Sequence, residues 1–385
     1  MLLEHSWASR LVEASDRLAT VTCLRGAMPE HRQVLRWVND MFSRFSQTEI
    51  PKVRAWVDGG QRYTITDELV RLAEQPALAL PSRLALAAGA ESYCVTFNGL
   101  TAWSPVFQAE MQHGMLEPLF QALGGAPRAG CDFYSFFGNY GFTPFGVHDD
   151  TDESLLWHLG PGPKTAYVWP RAEYQALTGG TLATQDYRAL LPHARRFDLE
   201  PGDLLVIPLG DFHILDTREF SATLGLTLFP DDPALECAEG LRILGPDAGT
   251  LRTIGGQALT LDELCRLRRL ALESNGHVTA SPSLVALTAA PLTPEVIGAG
   301  AISGVPHCPV RAIELAGREA LLVRRRAVWA RRNGFFQRLS DAINGAARLP
   351  FGELAAQFAG TIQLDALREL VRKLHQMGGL LVEDC

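Results

Sequence analysis

The feature that most constrains the fold of this chain is a set of two histidines and one acidic residue from distant segments. His148 and Asp150 are separated by one residue, and His213 ends the phrase PGDLLVIPLGDFH. Successive side chains of a β-strand point to opposite faces, so one strand can present His148 and Asp150 together while Asp149 faces away. Two imidazoles and one carboxylate form the facial set that holds Fe(II) and leaves other coordination positions open. The third ligand then requires a neighbouring strand, and therefore a sheet built from distant segments.

The segments around these residues have the composition of strands. The apolar run 154–159 predicts a strand, the Gly-Pro-Gly-Pro run that follows breaks it, and 165–169 resumes it. Further along, 203–208 predicts a short buried strand, and 221–229 predicts another after a turn. Short strands with inward-facing ligands suit a small double-stranded barrel with a metal in its mouth.

Together, these motifs resemble those of the JmjC-type cupin oxygenases. The resemblance rests on His148-Asp149-Asp150, on Lys164 after the Gly-Pro turn, and on the phrase that ends at His213, and it covers roughly residues 90 to 230. Within that group the sequence is most similar to the bacterial ribosomal-protein hydroxylases and their nucleolar relatives, and less to the asparaginyl hydroxylases.

The resemblance implies a fold and a set of cofactors. The fold would be α+β, with a double-stranded β-helix (a jelly-roll or cupin barrel), helical N-terminal and middle segments, and a C-terminal winged-helix-like domain. The cofactors would be Fe(II) and 2-oxoglutarate, with dioxygen as cosubstrate. In such enzymes 2-oxoglutarate is decarboxylated to succinate at the metal, while the protein supplies orientation and a dry pocket.

The resemblance also assigns roles by position. His148, Asp150 and His213 would hold the iron, and Lys164 would bind the distal carboxylate of 2-oxoglutarate as a point charge. Strand parity and the glycine-flanked segment 138–141 suggest further pocket residues. These are Ser154, Thr223, Thr227 and Tyr140 for the cosubstrate, and Asn139, His158 and Leu156 for the substrate.

Each of these positions also has an ordinary structural explanation. A histidine beside two aspartates is common in a solvated turn, Lys164 alone is typical of a surface strand, and His158 is typical of a packed core imidazole. The glycine-flanked tyrosine suits packing as well as it suits a pocket. Asp211 and Asp216 compete with Asp150 as the acidic ligand, although neither has the His-x-Asp spacing.

Composition bounds the class of protein. A chain of 385 residues exceeds what one hydrophobic core usually supports, so two or three domains are expected. The net charge of −8 argues against general nucleic-acid binding. Seven dispersed cysteines without a C-x-x-C pair indicate reduced thiols rather than a disulfide framework or a zinc site. The chain lacks a signal-peptide pattern and an apolar run of membrane-spanning length, so we expect a cytoplasmic protein without a membrane partner.

The chain divides into four predicted regions. They are a helical N-terminal region (1–88), the catalytic barrel (89–231), a helical linker (232–305) and the winged-helix-like domain (306–385). The linker contains one clear helix, 260–274, in which Thr260 and Glu263 suit a capping box. The family often uses this middle region for dimerisation, which implies a homodimer.

The last region has its own pattern. Residues 311–331 predict a hairpin that turns at Gly317, and three helices and a closing strand follow. The run Arg324-Arg325-Arg326 lies in that hairpin. One interpretation of this run is a surface that binds nucleic acid or an acidic peptide. The other is a solvated face of the hairpin.

Three functions are consistent with these observations. The first is an oxygenase that hydroxylates an amino-acid side chain in a peptide or protein, such as a ribosomal protein or a biosynthetic precursor peptide, and releases succinate and CO2. The second is the same chemistry on a free amino acid or a small metabolite. The third is a non-enzymatic cupin whose winged helix is the working part. The complete ligand set disfavours the third, and the extra domain and expected dimer favour the large substrate of the first.

Overall fold

The computed structural model describes residues 3, 6–42, 53–73, 78–244, 259–279, 292–305 and 307–383. Its contacts divide the chain into two compact units, Met1–Pro230 and Asp231–Cys385. Both units combine helices with antiparallel sheets, as the sequence predicts at this coarse level. In the described part of the chain, no helix is both long and apolar enough to cross a membrane.

The first unit contains two sheets and the helices that flank them. Its described helices are α1 (Trp7–Ala14), α2 (His31–Phe42), α3 (Ile65–Ala73), α4 (Leu80–Ala88), α5 (Pro105–Met111), α6 (Glu117–Leu123) and α7 (Arg171–Thr178). Its described strands are β1 (Thr22–Leu24), β2 (Val53–Val57), β3 (Gly60–Gln61), β4 (Tyr93–Asn98), β5 (Cys131–Gly138), β6 (Gly141–Phe142), β7 (His148–Asp149), β8 (Glu153–Pro161), β9 (Lys164–Trp169), β10 (Arg195–Leu199), β11 (Leu204–Ile207), β12 (Phe212–Thr217) and β13 (Ser221–Leu228).

The two sheets pack face to face. The larger has the order β1-β11-β8-β13-β5-β4-β2-β3, and the smaller has the order β10-β9-β12-β6 with β7 paired to β12. Leu156 and Leu205 of the larger sheet share one apolar cluster with Ala166 and Leu215 of the smaller sheet. Because alternate residues share a face, this cluster shows which side chains of each strand point between the sheets.

The strands predicted from apolar runs are confirmed. The runs 154–159 and 165–169 lie in β8 and β9, and 203–208 and 221–229 contain β11 and β13. The run in β8 is apolar on both faces because α1 covers its outer side, where Trp157 meets Trp7 edge to face with ring centroids 5.7 Å apart. A strand that is buried on both faces has a nearly continuous apolar sequence.

The N-terminal region contains more than the predicted helices. Helices α1 to α4 are present, but β1, β2 and β3 also lie before residue 88 and extend both ends of the larger sheet. The sequence prediction missed all three strands, of which β1 and β3 are only three and two residues long. Strands this short leave no periodic pattern to recognise.

The second unit follows the predicted order closely. Its described helices are α8 (Pro233–Leu244), α9 (Leu261–Glu273), α10 (Pro294–Ala299), α11 (Phe335–Gly345), α12 (Phe351–Gln357) and α13 (Leu364–Gln376). Its described strands are β14 (Ala301–Gly304), β15 (Arg311–Leu315), β16 (Arg318–Val323), β17 (Arg326–Arg331), β18 (Leu349–Pro350) and β19 (Leu380–Glu383). The three predicted helices and the closing strand are confirmed. The capping box is also confirmed, because Thr260 and Glu263 exchange both of its hydrogen bonds at the start of α9.

The predicted hairpin is a three-stranded meander. It turns at Ala316-Gly317 and again at Arg324-Arg325, where all four residues have positive φ. Arg324 and Arg325 are only 3% and 4% exposed. Arg324 donates to the carbonyl of Gly378, and Arg325 forms an ion pair with Glu239. Both readings of this run, a basic surface and a solvated face, are therefore wrong for these two arginines.

Candidate metal centre

Strands β7 and β12 bring the two histidines face to face. His148 pairs directly with His213, and their ring centroids are 4.3 Å apart. Directly opposed residues of neighbouring antiparallel strands point to the same face of a sheet. Asp150 completes the group, with Oδ1 3.9 Å from Nε2 of His148 and Oδ2 3.7 Å from Nε2 of His213. One ligand atom of each residue thus lies within 4.8 Å of the others.

The donor atoms suit a divalent metal such as Fe(II). Nδ1 of His148 donates to the carbonyl of Gly146 over 3.1 Å, and Nδ1 of His213 faces the carbonyl of Asp211 over 3.5 Å, so both Nε2 atoms are left for a metal. Burial, and then His213, lower the pKa of His148 to about 4, which keeps the ring in the neutral form that binds metals. Neighbouring ligands of one ion are about 3 Å apart in octahedral geometry. The Asp150 carboxylate, 3.7 and 3.9 Å from the two Nε2 atoms, therefore needs to approach the histidines by about 1 Å to share an ion with them.

Gly146 is required for this arrangement, and the sequence prediction missed it. It has a φ of +77°, and a Cβ there would lie 2.3 Å from the carbonyl oxygen of Thr184. Its neighbour Val147 forms a bridge with Thr184. Only glycine combines this φ with such a close approach, so it presents the carbonyl that orients His148.

The competing acidic residues lie outside the group. Asp149 points away, as predicted, and its carboxylate forms an ion pair with Arg171 over 2.6 Å. Asp211 accepts a hydrogen bond from the backbone N–H of Arg171 over 3.2 Å. Asp216 pairs with Arg218 over 3.2 Å. Asp150 is therefore the carboxylate that converges with the two histidines.

The three residues lie at a cleft of about 440 Å³ between the sheets. Its other lining residues are Arg54, Trp56, Asn98, Tyr134, Phe136, Thr143, Phe145, Asp152, Ser154, Leu156, Leu215 and Thr227. Phe145 lies edge-on to His148 with centroids 4.5 Å apart and contacts Trp56 at 5.3 Å, so aromatic rings form one wall beside the histidine. The sequence prediction missed this wall because no spacing rule connects residue 56 with residue 145.

Lys164 is buried between the sheets, but it is outside the set of residues that lines the cleft. It shares its face of β9 with Ala166 and is 2% exposed. Its Nζ donates to Thr217 over 2.9 Å and to the hydroxyl of Tyr140 over 3.1 Å. Burial lowers the pKa of Lys164 to about 8. The alternative of a surface strand residue is therefore wrong.

No carboxylate in the described part of the chain forms an ion pair with Lys164. Buried charges are normally paired, so a buried ammonium without a counter-ion is a candidate anion site. Thr217 was not predicted, although a signal exists. It shares the parity of His213 and Leu215 along β12, and this parity points all three between the sheets.

Other predicted cosubstrate residues lie on the larger sheet. Ser154 lines the cleft and donates to Oδ2 of Asp150 over 3.0 Å. Thr227 also lines the cleft. Thr223 is buried, and within the described residues its Oγ1 has no hydrogen-bond partner. A buried hydroxyl without a partner costs about 1–3 kcal/mol, which a bound polar ligand can recover.

The predicted substrate residues lie in three different settings. Leu156 lines the cleft. His158 is fully buried, and its Nδ1 lies 3.4 Å from both the Gly160 N–H and the Ser221 hydroxyl. Burial, and then Lys164, lower the pKa of His158 to about 4. The Asn139 amide bonds to the backbone at residues 91 and 93, and it is outside the set that lines the cleft.

Known structures provide a comparison. The chain is similar to an X-ray structure of Escherichia coli YcfD, with 13% identity, 99% of each chain covered and a TM-score of 0.47. It is also similar to YcfD described as a ribosomal oxygenase in complex with cobalt and 2-oxoglutarate (14% identity, 94% of each chain, TM-score 0.47). A third structure is that oxygenase with cobalt and succinic acid (13% identity, 99% of each chain, TM-score 0.48).

No protein-family model matches the chain, and no curated protein matches it. Identities and TM-scores as low as those of the YcfD structures do not establish a shared activity.

Proposed function

We propose that this chain is an Fe(II)- and 2-oxoglutarate-dependent oxygenase. One observation carries the proposal. Two histidines and a carboxylate converge at one cleft, and in the same sheet β9, the neighbour of β12, carries a buried lysine that has no carboxylate partner among the described residues. His148, Asp150 and His213 would hold the iron, and Lys164 would bind the distal carboxylate of 2-oxoglutarate. When bound, the iron supplies the activation of dioxygen that is coupled to decarboxylation of 2-oxoglutarate to succinate and CO2.

Lys164 favours an oxygenase over a hydrolase. Two histidines and a carboxylate also hold zinc in hydrolases, where water is the remaining ligand. A hydrolase of that kind has no need for a buried ammonium beyond the metal. His213 and Thr217 are four residues apart on β12, about 13 Å at about 3.3 Å per residue, and both side chains extend between the sheets. In this proposal a dicarboxylate bound to the metal at one end extends along β12 and places its other carboxylate at Lys164.

The remaining polar groups would complete the cosubstrate site. Tyr140 and Thr217 hold the Lys164 ammonium in place through its two hydrogen bonds. The buried Thr223 hydroxyl is available to a bound ligand. The chain would therefore orient the cosubstrate, exclude water from it and balance its charge.

The fold proposed for this activity is the double-stranded β-helix of the JmjC-type cupins over 89–231. A helical N-terminal region, a linker that supports a homodimer, and a winged-helix-like C-terminal domain would accompany it. The substrate we propose is an amino-acid side chain in a peptide or protein, either a ribosomal protein or a biosynthetic precursor, in the cytoplasm. YcfD is described as a ribosomal oxygenase with cobalt, 2-oxoglutarate or succinate bound. The cofactor set proposed here rests on the residues of this chain.

An anaerobic titration tests the proposal. The purified protein is titrated with Fe(II) and 2-oxoglutarate, and the weak visible charge-transfer band of the chelated complex is recorded. We expect the band in the wild type and in His193→Ala, a histidine outside the cleft, and its loss in His213→Ala. A folded wild type that never shows the band would contradict the oxygenase and favour a non-enzymatic binding protein.

The substrate class needs a separate measurement. The loaded enzyme is incubated with ribosomal proteins, with peptides and with free amino acids. Mass spectrometry then looks for the gain of one oxygen atom together with succinate release. Oxidation of a free amino acid alone would move the proposal to the small-metabolite alternative.

A further inference from the structure

Two hydroxyl groups in series reach the carboxylate of Asp150. The hydroxyl of Tyr134 donates to Oγ of Ser154 over 3.2 Å, and Ser154 donates to Oδ2 of Asp150 over 3.0 Å. Tyr134 and Ser154 are 8% and 1% exposed, so little water competes for these hydrogen bonds. The series ends on a residue that belongs to the metal centre, so its effect should be visible in metal binding.

The tyrosine reaches Ser154 because a glycine lies beneath its ring. Tyr134 is on β5, Ser154 is on β8, and β13 runs between these two strands. Gly225 of β13 lies directly opposite Tyr134, and a Cβ built on it would be 2.2 Å from the tyrosine ring. The side chain of Tyr134 therefore passes over β13 at Gly225, where the missing side chain leaves room for the ring.

We propose that Tyr134 and Ser154 are positioning residues that hold the Asp150 carboxylate for the metal, an inference that rests on the proposed function. The hydrogen bond from Ser154 takes up one lone pair of Oδ2, so we expect Oδ1 to be the oxygen that binds the ion. A carboxylate that binds through one oxygen takes one coordination position and leaves the others open. Tyr134 fixes Ser154 in turn, because its hydroxyl occupies the acceptor side of the serine oxygen.

The alternative is that these hydroxyl groups only fill the core. Loss of a residue that orients a metal ligand typically costs 10- to 100-fold in metal affinity, whereas loss of a packing hydroxyl changes stability without changing affinity. Tyr134→Phe separates the two roles, because it keeps the ring over Gly225 and removes only the donor. Ser135→Ala is the matched control. Ser135 is the next residue on β5, it is equally buried, and its side chain faces the other side of the sheet.

The test is a calorimetric titration of the full chain with Co(II), together with thermal unfolding of the metal-free protein. We expect Tyr134→Phe and Ser154→Ala each to weaken Co(II) binding by about 10- to 100-fold. The double variant should be no weaker than Ser154→Ala alone, because groups that act in series are not additive. Ser135→Ala should bind as the wild type does. Gly225→Ala should match Tyr134→Phe, because the added methyl group displaces the ring.

The outcomes separate this inference from the function on which it rests. If the wild type binds Co(II) and Tyr134→Phe binds it equally tightly, the positioning role of Tyr134 is wrong, but the proposed metal centre is not contradicted. An additive loss in the double variant would also overturn the series arrangement. If the wild type does not bind Co(II) at all, the proposed metal centre is wrong, and so is the positioning role of Tyr134 and Ser154.

Discussion

Replacement of Lys164 by methionine should stabilise the protein and at the same time disable its cosubstrate site. Methionine is flexible, uncharged and of similar length, so it can fill the space of the lysine. Burial lowers the pKa of Lys164 from 10.5 to about 8. A change of that size corresponds to about 3 kcal/mol that opposes folding with the amine charged. The penalty is fully present below pH 8. It is relieved as pH rises from 8 towards 10.5, because the unfolded chain then binds more protons than the folded one.

Part of the stability gained by removing the buried charge is offset by lost hydrogen bonds. The expected loss of 2-oxoglutarate affinity is much larger than the net gain in stability. Lys164 donates hydrogen bonds to Thr217 and Tyr140, and each contributes about 1 kcal/mol. We therefore expect the variant to gain about 1 kcal/mol at pH 7. Removal of one partner from a buried charge pair costs about 2–5 kcal/mol, which raises the Kd of 2-oxoglutarate roughly 30- to 4,000-fold.

Two measurements check this prediction. Urea unfolding of the metal-free protein at pH 7 gives the change in stability, and calorimetric titration of the Co(II)-loaded protein gives the Kd of 2-oxoglutarate. Lys164→Arg is the control, because it retains the charge and should retain much of the affinity. The reasoning is refuted if Lys164→Met loses 2 kcal/mol or more of stability while the Kd stays unchanged. That result would make Lys164 a structural hydrogen-bond donor.

Three further predictions concern the metal centre, the lysine and the second unit. His148→Ala or Asp150→Ala should abolish 2-oxoglutarate turnover and leave the far-UV circular dichroism unchanged; full turnover in either would remove that residue from the ligand set. Because the pKa of Lys164 is about 8, the Kd of 2-oxoglutarate should be constant below pH 8 and rise about tenfold per pH unit above it, as calorimetry would show. A constant Kd up to pH 9.5 would mean that another group binds the carboxylate. Arg325→Met should lower the free energy of unfolding by about 2 kcal/mol, because Glu239 loses its buried ion-pair partner and keeps only the half-exposed Arg242, 3.6 Å away. A loss below about 0.5 kcal/mol in urea unfolding would mean that the ion pair adds no more net stability than an exposed pair does.

The sequence was sufficient where a local pattern carries the information. β8 and β13 are central strands of the larger sheet and are buried on both faces, so their apolar runs are visible without neighbours. β1 forms one end of that sheet, and β2 together with β3 extends the other, yet both β1 and β2 are short and follow helical segments. Their strand conformation depends on pairing with β11 and β4, and this information lies elsewhere in the chain.

The same division applies to the candidate site. His148, Asp150 and His213 could be predicted as candidate ligands from residue type and spacing, because metal binding restricts both. Tyr134 and Gly225 could not, since their roles depend on which strands become neighbours. Trp56 lies beside the cleft for the same reason, through the addition of β2 to the sheet edge. The alternation of side chains along a strand predicts which face of the sheet a residue lies on. Which residues of different strands meet at one site depends on the register between those strands.

The short strand that carries the first ligand needs support from outside the cleft. β7 is two residues long, so its pairing with β12 alone gives His148 few constraints. The outward-facing Asp149 supplies another through its 2.6 Å ion pair with Arg171, which anchors β7 to the start of α7. That pair is partly exposed and contributes at most about 1 kcal/mol to stability. Its effect is therefore mainly on orientation. The first aspartate of the His-Asp-Asp motif therefore supports the candidate metal centre from the opposite face of the strand.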